Sequence, residues 1–400
     1  MFTESERGEL RERILNDRHN GLVFRAGQRL PLYLVGGYLR DVLIGRDSLD
    51  RDYVAGGDIE SLLEQIVAET GGKVIRLGNY LRRIVLRDNS TLDFSPLVND
   101  IADDLSRRDF TMNSLAWSPD TGIVDPHGGV KHLRQRRISI ISRDSIEHDP
   151  VRMIRAYRFA GELSFRIDRP TRRIIRELSG RIIEAKSERI TLEFFKILNL
   201  KDPSAILVMM ANDGFLNHLF LYGEEELSSK LRVLSRVNRI LNALPLEYKA
   251  LLGQIYSQNL SGEGMIRLEV FMGGLPAKVL SLSSKIMGRV EDIEKGERIL
   301  RGRSVSRAGL FEAFSLMGDA SIDFLIVKGR TTFLPDYESF RTIMKKSLLS
   351  TEEIIVISGL AKGVSLGKAI LNLKKAEFSH KIKTCSEAVD LLKKYSSDCS

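Results

Sequence analysis

Two aspartates, Asp50 and Asp52, sit two residues apart, nine residues beyond an Arg40-Asp41 pair that itself follows Gly36-Gly37. On an extended segment, side chains at i and i+2 point to the same side. Asp50 and Asp52 therefore offer two carboxylates on one face, and hard divalent cations such as Mg2+ take oxygen ligands of this kind. Asp93, in Leu92-Asp93-Phe94, can supply a third carboxylate from a neighbouring strand. Such a set suits two-metal phosphoryl transfer, with ions about 3.5–4 Å apart, one activating the attacking hydroxyl and the other screening the leaving pyrophosphate. No protein nucleophile is needed for that chemistry. Gly36-Gly37 follows an apolar run, so the backbone can approach a ligand closely, and the helix behind it turns free N–H groups and a positive end toward a triphosphate. Taken singly, a glycine pair is a turn and Asp-x-Asp is a loop or capping pair; the combination is far more specific.

The elements that must hold these residues are legible in outline. Leu32–Val35 reads as a strand, Tyr38–Ile44 as a short helix and Asp52–Ala55 as a second strand. Asp58 caps a helix running to Thr70, with Ile59, Leu62, Leu63, Ile66 and Val67 at helical spacing, and Gly71-Gly72 stops it. Lys73–Arg76, Arg82–Leu86 and Thr91–Phe94 read as strands of a small mixed sheet. From Arg108 onward the pattern is mostly helical. Asp149 is expected to cap a helix begun by Pro150, with further helices over Pro170–Ser179, Glu188–Leu200 and Ala205–Ala211.

Composition sets the bounds. A chain of 400 residues suggests two to four units. Its two cysteines, Cys385 and Cys399, make no disulfide or zinc pattern and suit a reducing compartment. No apolar run approaches the roughly 18 residues of a membrane span. The expectation is a cytoplasmic protein without a membrane association. A net charge of +8 suits a polyanionic partner such as nucleic acid.

Gly36-Gly37-Tyr38-Leu39-Arg40-Asp41 with Asp50-x-Asp52 resembles the first motif of the class II tRNA nucleotidyltransferase and bacterial poly(A) polymerase family, a branch of the polymerase-beta-like nucleotidyltransferases. Arg107-Arg108-Asp109-Phe110-Thr111-Met112-Asn113-Ser114-Leu115-Ala116 resembles its second motif, which holds ribose and phosphates; carried over, Arg108, Asp109 and Asn113 are the candidates. The plainer reading is a basic turn entering a helix capped by Asp109. Asp125-Pro126-His127-Gly128-Gly129 matches a third motif, where a hinge and an ordinary turn are equally sensible.

His148 to Phe159 resembles the fourth and fifth motifs, in which an Asp and an Arg three residues later read the base of CTP or ATP. Here these are Asp149 and Arg152. Cytosine and adenine both pair an exocyclic amino group with an adjacent ring acceptor. An Asp-Arg pair thus excludes U and G at roughly 1–3 kcal/mol per stranded polar group. Arg155 and Arg158, further round the helix, are assigned to positioning that pair or to phosphate. The family usually has Glu where this chain has His148. Ser187-Glu188-Arg189-Ile190-Thr191 with Glu193 reads as structural, a capped helix with local charge pairs. Near the C-terminus, Ile357–Leu360 and Gly363–Lys368 resemble the segment that grips the tRNA elbow, with Lys362, Lys368, Lys374 and Lys375 as RNA contacts.

The resemblance implies an α+β chain: a polymerase-beta-like nucleotidyltransferase head with a small mixed sheet (1–138), a helical neck with the base-recognition helix (139–222), a helical body (223–340) and a tail (341–400). It implies Mg2+ as cofactor, CTP and ATP as substrates and tRNA as partner, with no obligate protein partner evident. The activity implied is addition of CCA, or part of it, to tRNA 3′ ends. The stretch between Asp93 and Arg107 is too short for the flexible loop usual in enzymes that add all of CCA, which resembles partial enzymes adding only CC. A poly(A) polymerase and a non-catalytic RNA-binding protein are the other readings. The six histidines are scattered, which disfavours a His-Asp phosphohydrolase.

Overall fold

A computed structural model describes residues 2–78, 80–272, 279–301 and 305–397; Cys399 lies outside them. The chain forms two compact units, residues 1–193 with 209–218, and residues 194–208 with 219–400. Helices up to Glu193 and the segment Met209–His218 of the expected neck thus belong to the first unit, and Phe194–Val208 to the second.

The first unit is built on a sheet of β1 (Leu32–Val35), β2 (Asp50–Ala55), β3 (Lys73–Leu77), β4 (Leu81–Val85), β5 (Thr91–Pro96), β6 (Ala116–Ser118) and β7 (Gly122–Val124). Their order is β3-β4-β5-β2-β1-β6-β7. β2 and β5 are parallel, and every other neighbouring pair is antiparallel. A parallel pair needs a long crossover. Here it is supplied by the Ile59–Thr70 helix and the β3–β4 hairpin. That helix starts and stops as its sequence dictates. Asp58 accepts from the Ser61 N–H, Gly71 takes the left-handed conformation at φ 65°, and Leu62, Leu63 and Ile66 are buried.

Strand alternation divides the sheet into two faces. On one, Tyr53 stacks on Phe94 at 4.9 Å, Phe24 meets the Tyr53 and Trp117 rings edge-on, and the Tyr53 hydroxyl donates to Asn20 at 2.5 Å. The other face carries Asp50, Asp52 and Val54. Its apolar half is roofed by the Ile101–Ser106 helix, whose Leu105 packs with Val35, Val54 and Ala116. Val54 is sealed, Asp52 half-buried and Asp50 exposed, so the carboxylate end of β2 forms the floor of the candidate site.

The early strands and helices fall where the sequence placed them, with β2 starting at Asp50 so that both aspartates lie on the strand. β6 and β7, three residues each, are too short for periodicity to reveal. Asp149 requires a correction. It ends the Arg143–His148 helix, Pro150 stands at the cap of the Val151–Leu163 helix, and no side chain caps that helix. Among the described residues, the regular structure of the second unit is helical apart from the short pair Ile255–Ser257 and Leu260–Ser261, and Phe311, Phe314, Tyr337, Phe340 and Phe378 form one aromatic cluster in it.

The Asp125–Gly129 segment folds as a tight capped turn. The Asp125 carboxylate accepts from the Gly129 and Val130 N–H groups at 2.6 and 3.1 Å. A Cβ on Gly129 would lie 2.1 Å from the Thr111 carbonyl oxygen, so this glycine sets how closely the Thr111–Asn113 turn approaches. Gly129→Ala is expected to lower the urea unfolding free energy by about 2–4 kcal/mol. A loss below about 0.5 kcal/mol would show that the turn relaxes freely.

Candidate active site

The β2–β5 register places Asp52 directly opposite Asp93, and Asp50 opposite Thr91. Residues paired across adjacent strands share a face, so all three carboxylates rise from one side of the sheet. Burial first, then the neighbouring Asp50, push the Asp52 carboxyl up to about 6; Asp93 adds to this, while Arg108 and Arg83 oppose it. Asp93 is buried and held by Arg83, which stands opposite it on β4 and donates from Nε and Nη2 at 2.7 and 2.6 Å. Among the described residues, no three His, Cys, Asp or Glu side chains are drawn together closely enough to hold an ion. The expected triad is therefore aligned but not gathered, because a guanidinium takes up the Asp93 carboxylate. The donor set nevertheless fits a hard cation: it is all oxygen, and the repulsion that lifts Asp52 is what such an ion relieves.

Gly36 links this floor to the arginines above it. Its φ of 74° favours glycine, and a Cβ there would lie 2.9 Å from Arg108 Nη1 and 3.5 Å from Asp52 Oδ2. Arg108 is braced by Asp104, with contacts of 3.1 and 2.9 Å. Gly37 begins the Gly37–Leu43 helix, on which Arg40 donates to Asp41 and, through Nη1, to Asn113 Oδ1 at 2.9 Å.

Asp109 is not a helix cap. It is buried and accepts from Arg155 at 2.8 and 2.6 Å, from Asn113 at 3.0 Å and from the Phe110 N–H at 2.8 Å. Burial works against its charge, but Arg155, Asn113 and Phe110 outweigh it and hold the carboxyl below its usual range. Arg158 is also buried, donating to Glu193 and Glu162 at 2.6 Å each. Arg40, Arg155 and Arg158 surround the Phe159 ring at 5.1, 5.4 and 3.9 Å. Arg158 is thus a buried support rather than a group facing ligand.

Arg152 donates to the Arg108 and Arg107 carbonyl oxygens at 2.9 and 2.7 Å, and its Nε lies 3.8 Å from Asp149. Asp149 accepts both guanidinium nitrogens of Arg189, at 3.0 and 2.8 Å. The expected pair is adjacent, and Arg189 is a third member that the sequence reading treated as structural. Glu193 likewise reaches across to Arg158 and Arg155. Arg83 was missed as well, its one signal being a cation on the strand facing Asp93. His148 is exposed, its Nδ1 2.7 Å from the Asp144 carbonyl oxygen.

In the second unit, Lys362 and Lys368 are exposed. Lys374 donates to the Met344 carbonyl oxygen at 2.8 Å, and Lys375 pairs with Glu312. No described helix is long and apolar enough to cross a membrane.

Comparison with known proteins adds an independent line. The profile of the poly A polymerase head domain matches residues 81–139, and that of a probable RNA- and SrmB-binding site of polymerase A matches residues 164–228. A CC-adding tRNA nucleotidyltransferase of Geobacter sulfurreducens is 29% identical over 90% of this chain and 91% of its own length. A multifunctional CCA protein of Haemophilus influenzae is 35% identical over 48% of this chain, which spans only 50% of that relative. Among solved structures, the Thermotoga maritima CCA-adding enzyme in complex with tRNA superposes with a TM-score of 0.76 at 21% identity, covering 95% of this chain and 97% of that one. A CCA-adding enzyme with CTP gives 0.78 at 22%, covering 98% and 96%. At these identities the superpositions establish the fold.

The raised Asp52 carboxyl makes a sign-definite prediction. The unfolded chain loses this proton near pH 4 and the folded chain near 6. Stability therefore falls as pH rises between those values and is flat above them. In EDTA, Asp52→Asn should gain about 1–2 kcal/mol in urea unfolding at pH 7.5 and nothing at pH 4. An equal or lower stability at pH 7.5 would mean that burial and the neighbouring carboxylates do not raise the Asp52 carboxyl in the folded protein.

Proposed function

We propose that this chain, which carries the poly A polymerase head domain and that family's RNA-binding segment and has tRNA nucleotidyltransferases as relatives, adds the CCA end, whole or in part, to tRNA from CTP and ATP. The observation that carries the reading is the pairing of Asp52 with Asp93 beside Gly36 and Arg108.

Asp50, Asp52 and Asp93 would hold Mg2+, with Arg83 swinging from Asp93 into solvent. When bound, Mg2+ supplies activation of the tRNA 3′ hydroxyl and charge screening for the departing pyrophosphate. The chain's own part is positioning. Gly36 leaves room for the triphosphate, and Arg108 and Arg40 face it with fixed guanidiniums. Asp109 and Asn113 orient the ribose side while Arg155 keeps Asp109 ionised. Asp149 retains lone pairs beyond those Arg189 uses, so it can accept from the exocyclic amino group of C or A. Arg152 donates to the adjacent ring acceptor. Exclusion of U and G follows from stranding those groups, without any nucleic acid template. Lys362 and Lys368, the exposed pair of the four expected lysines, would carry RNA phosphate contact. A tRNA substrate and cysteines without a disulfide pattern suit the cytoplasm.

The direct test offers tRNAs lacking the CCA end, ending after its first C, or ending after its second C, with CTP, ATP or both. Sequenced 3′ ends then read how much of CCA is added, and no extension of any substrate would refute the activity. Asp50→Ala is expected to lower incorporation by on the order of a thousandfold while tRNA affinity changes less than about threefold. Asp149→Ala should raise UTP misincorporation relative to CTP about tenfold. Unchanged selectivity would leave Asp149 as an anchor for Arg189 alone.

A further inference from the structure

Among the described residues, six side-chain polar atoms are buried with no hydrogen-bond partner, and two of them, Glu269 Oε2 and Arg236 Nε, belong to residues that line the same cavity. It lies wholly within the second unit and measures about 540 Å3, inside the roughly 300–1,000 Å3 range of small-molecule sites. Leaving such atoms unsatisfied costs about 1–3 kcal/mol each. Glu269 is only 7% exposed. Arg236 is fixed in the cavity wall by donating from Nη2 to the Val327 carbonyl oxygen at 2.6 Å, while its Nε has no acceptor. Val270, Ile293 and Phe324 make the wall between them apolar.

The mouth has a different character. Arg298 and Arg301 are exposed at the rim, Lys230 is half-buried, and Lys328 is paired with Glu297 at 2.9 Å. Glu294 is the remaining acidic group there, and Asp323, behind Glu269, is engaged by Arg289 at 2.6 and 2.9 Å. Burial first, then Asp323, push the Glu269 carboxyl up to about 8, with Glu294 adding and Lys328 and Lys230 opposing. At neutral pH this carboxyl keeps its proton, so it can donate and accept.

A ligand completing this cavity needs an uncharged inner edge with a donor and an acceptor side by side, an apolar face, and an anionic outer end. A carboxylic acid ligand puts its charge at the wrong end, and a simple phosphate leaves the apolar depth empty. We propose that this cavity binds a nucleotide, its base edge on Glu269 and Arg236 and its phosphate on Arg298 and Arg301. The source is a free nucleotide or an unstacked nucleotide of an RNA; the chemistry recognised is the same. The site shares no residue with the carboxylate face of the first unit and does not depend on its role.

The test uses the full chain in EDTA with no other nucleotide added, in an Asp149→Ala background so that base recognition in the first unit does not contribute. In one arm, equilibrium dialysis measures labelled AMP and CMP; in the other, filter binding measures tRNA. Glu269→Leu removes the polar edge and keeps the rim charge, Glu269→Gln keeps a donor and an acceptor, and Arg298→Ser with Arg301→Ser removes the phosphate contacts. A free-nucleotide site predicts that Glu269→Leu weakens monophosphate binding about tenfold while Glu269→Gln retains it. An RNA nucleotide predicts the same pattern in tRNA affinity, with little monophosphate binding by any variant. If Glu269→Leu does not fold, the exposed double variant decides: it must weaken binding of AMP but not of adenosine, or of tRNA in the second arm. The proposal is overturned if Glu269→Leu, folded by circular dichroism, binds both probes like the wild type, or if the double variant does.

Discussion

The parallel pairing of β2 with β5 is the constraint on which the rest of the first unit depends. It sets Asp52 against Asp93, an arrangement no fold adopts for stability, because adjacent carboxylates repel one another. The opposite face compensates. Tyr53 and Phe94, the next residues along the two strands, are fully buried and stacked. Register is a single choice for both faces, so burying those rings fixes the carboxylates in place. The cost of repulsion is met by apolar burial on the far side and by Arg83, which gives Asp93 a partner.

A second layer ties the helices to this floor. The Val151–Leu163 helix meets the Arg107–Asn113 segment through Arg155 on Asp109, Arg152 on the Arg107 and Arg108 carbonyl oxygens, and the Phe159 ring edge-on to Phe110. Glu193 and Arg189, on the Ser187–Leu198 helix, brace the Val151–Leu163 helix through Arg158 and through Asp149 just before its start. Displacing Asp109 thus disturbs Arg155 and, through Asn113, Arg40. Groups expected to meet triphosphate, ribose and base form one connected network, so their positions are correlated rather than independently tunable.

The sequence was most informative where chemistry and local structure coincide. Asp50-x-Asp52 in an extended segment, a short helix at the glycine pair, and Asp58 and Gly71 bounding the Ile59–Thr70 helix are all local signals; the structure keeps them, beginning the strand at Asp50 rather than Asp52 and the short helix at Gly37 rather than Tyr38. What it hid is long-range. Nothing within a few residues of Arg83 or Arg189 says that one will clasp Asp93 and the other Asp149, since those partners lie 10 and 40 residues away. Asp149 before Pro150 looked like a cap because capping is the local explanation; Arg189 competes successfully for the carboxylate. Glu269 and Arg236 left no trace in the helical pattern of residues 225–340, because their lack of partners exists only once the helices pack.

In the proposed function, Asp50, Asp52 and Asp93 act together on divalent cations once a nucleotide is present. Electron paramagnetic resonance of Mn2+, titrated into the protein with a non-hydrolysable CTP analogue, measures this without any turnover. Two bound ions are expected for the wild type, by analogy with two-metal transfer, and at least one is expected to be lost in Asp93→Asn. An Asp93→Asn protein that binds as many ions as tightly as the wild type would contradict the account, because Asp93 would then be only a partner for Arg83.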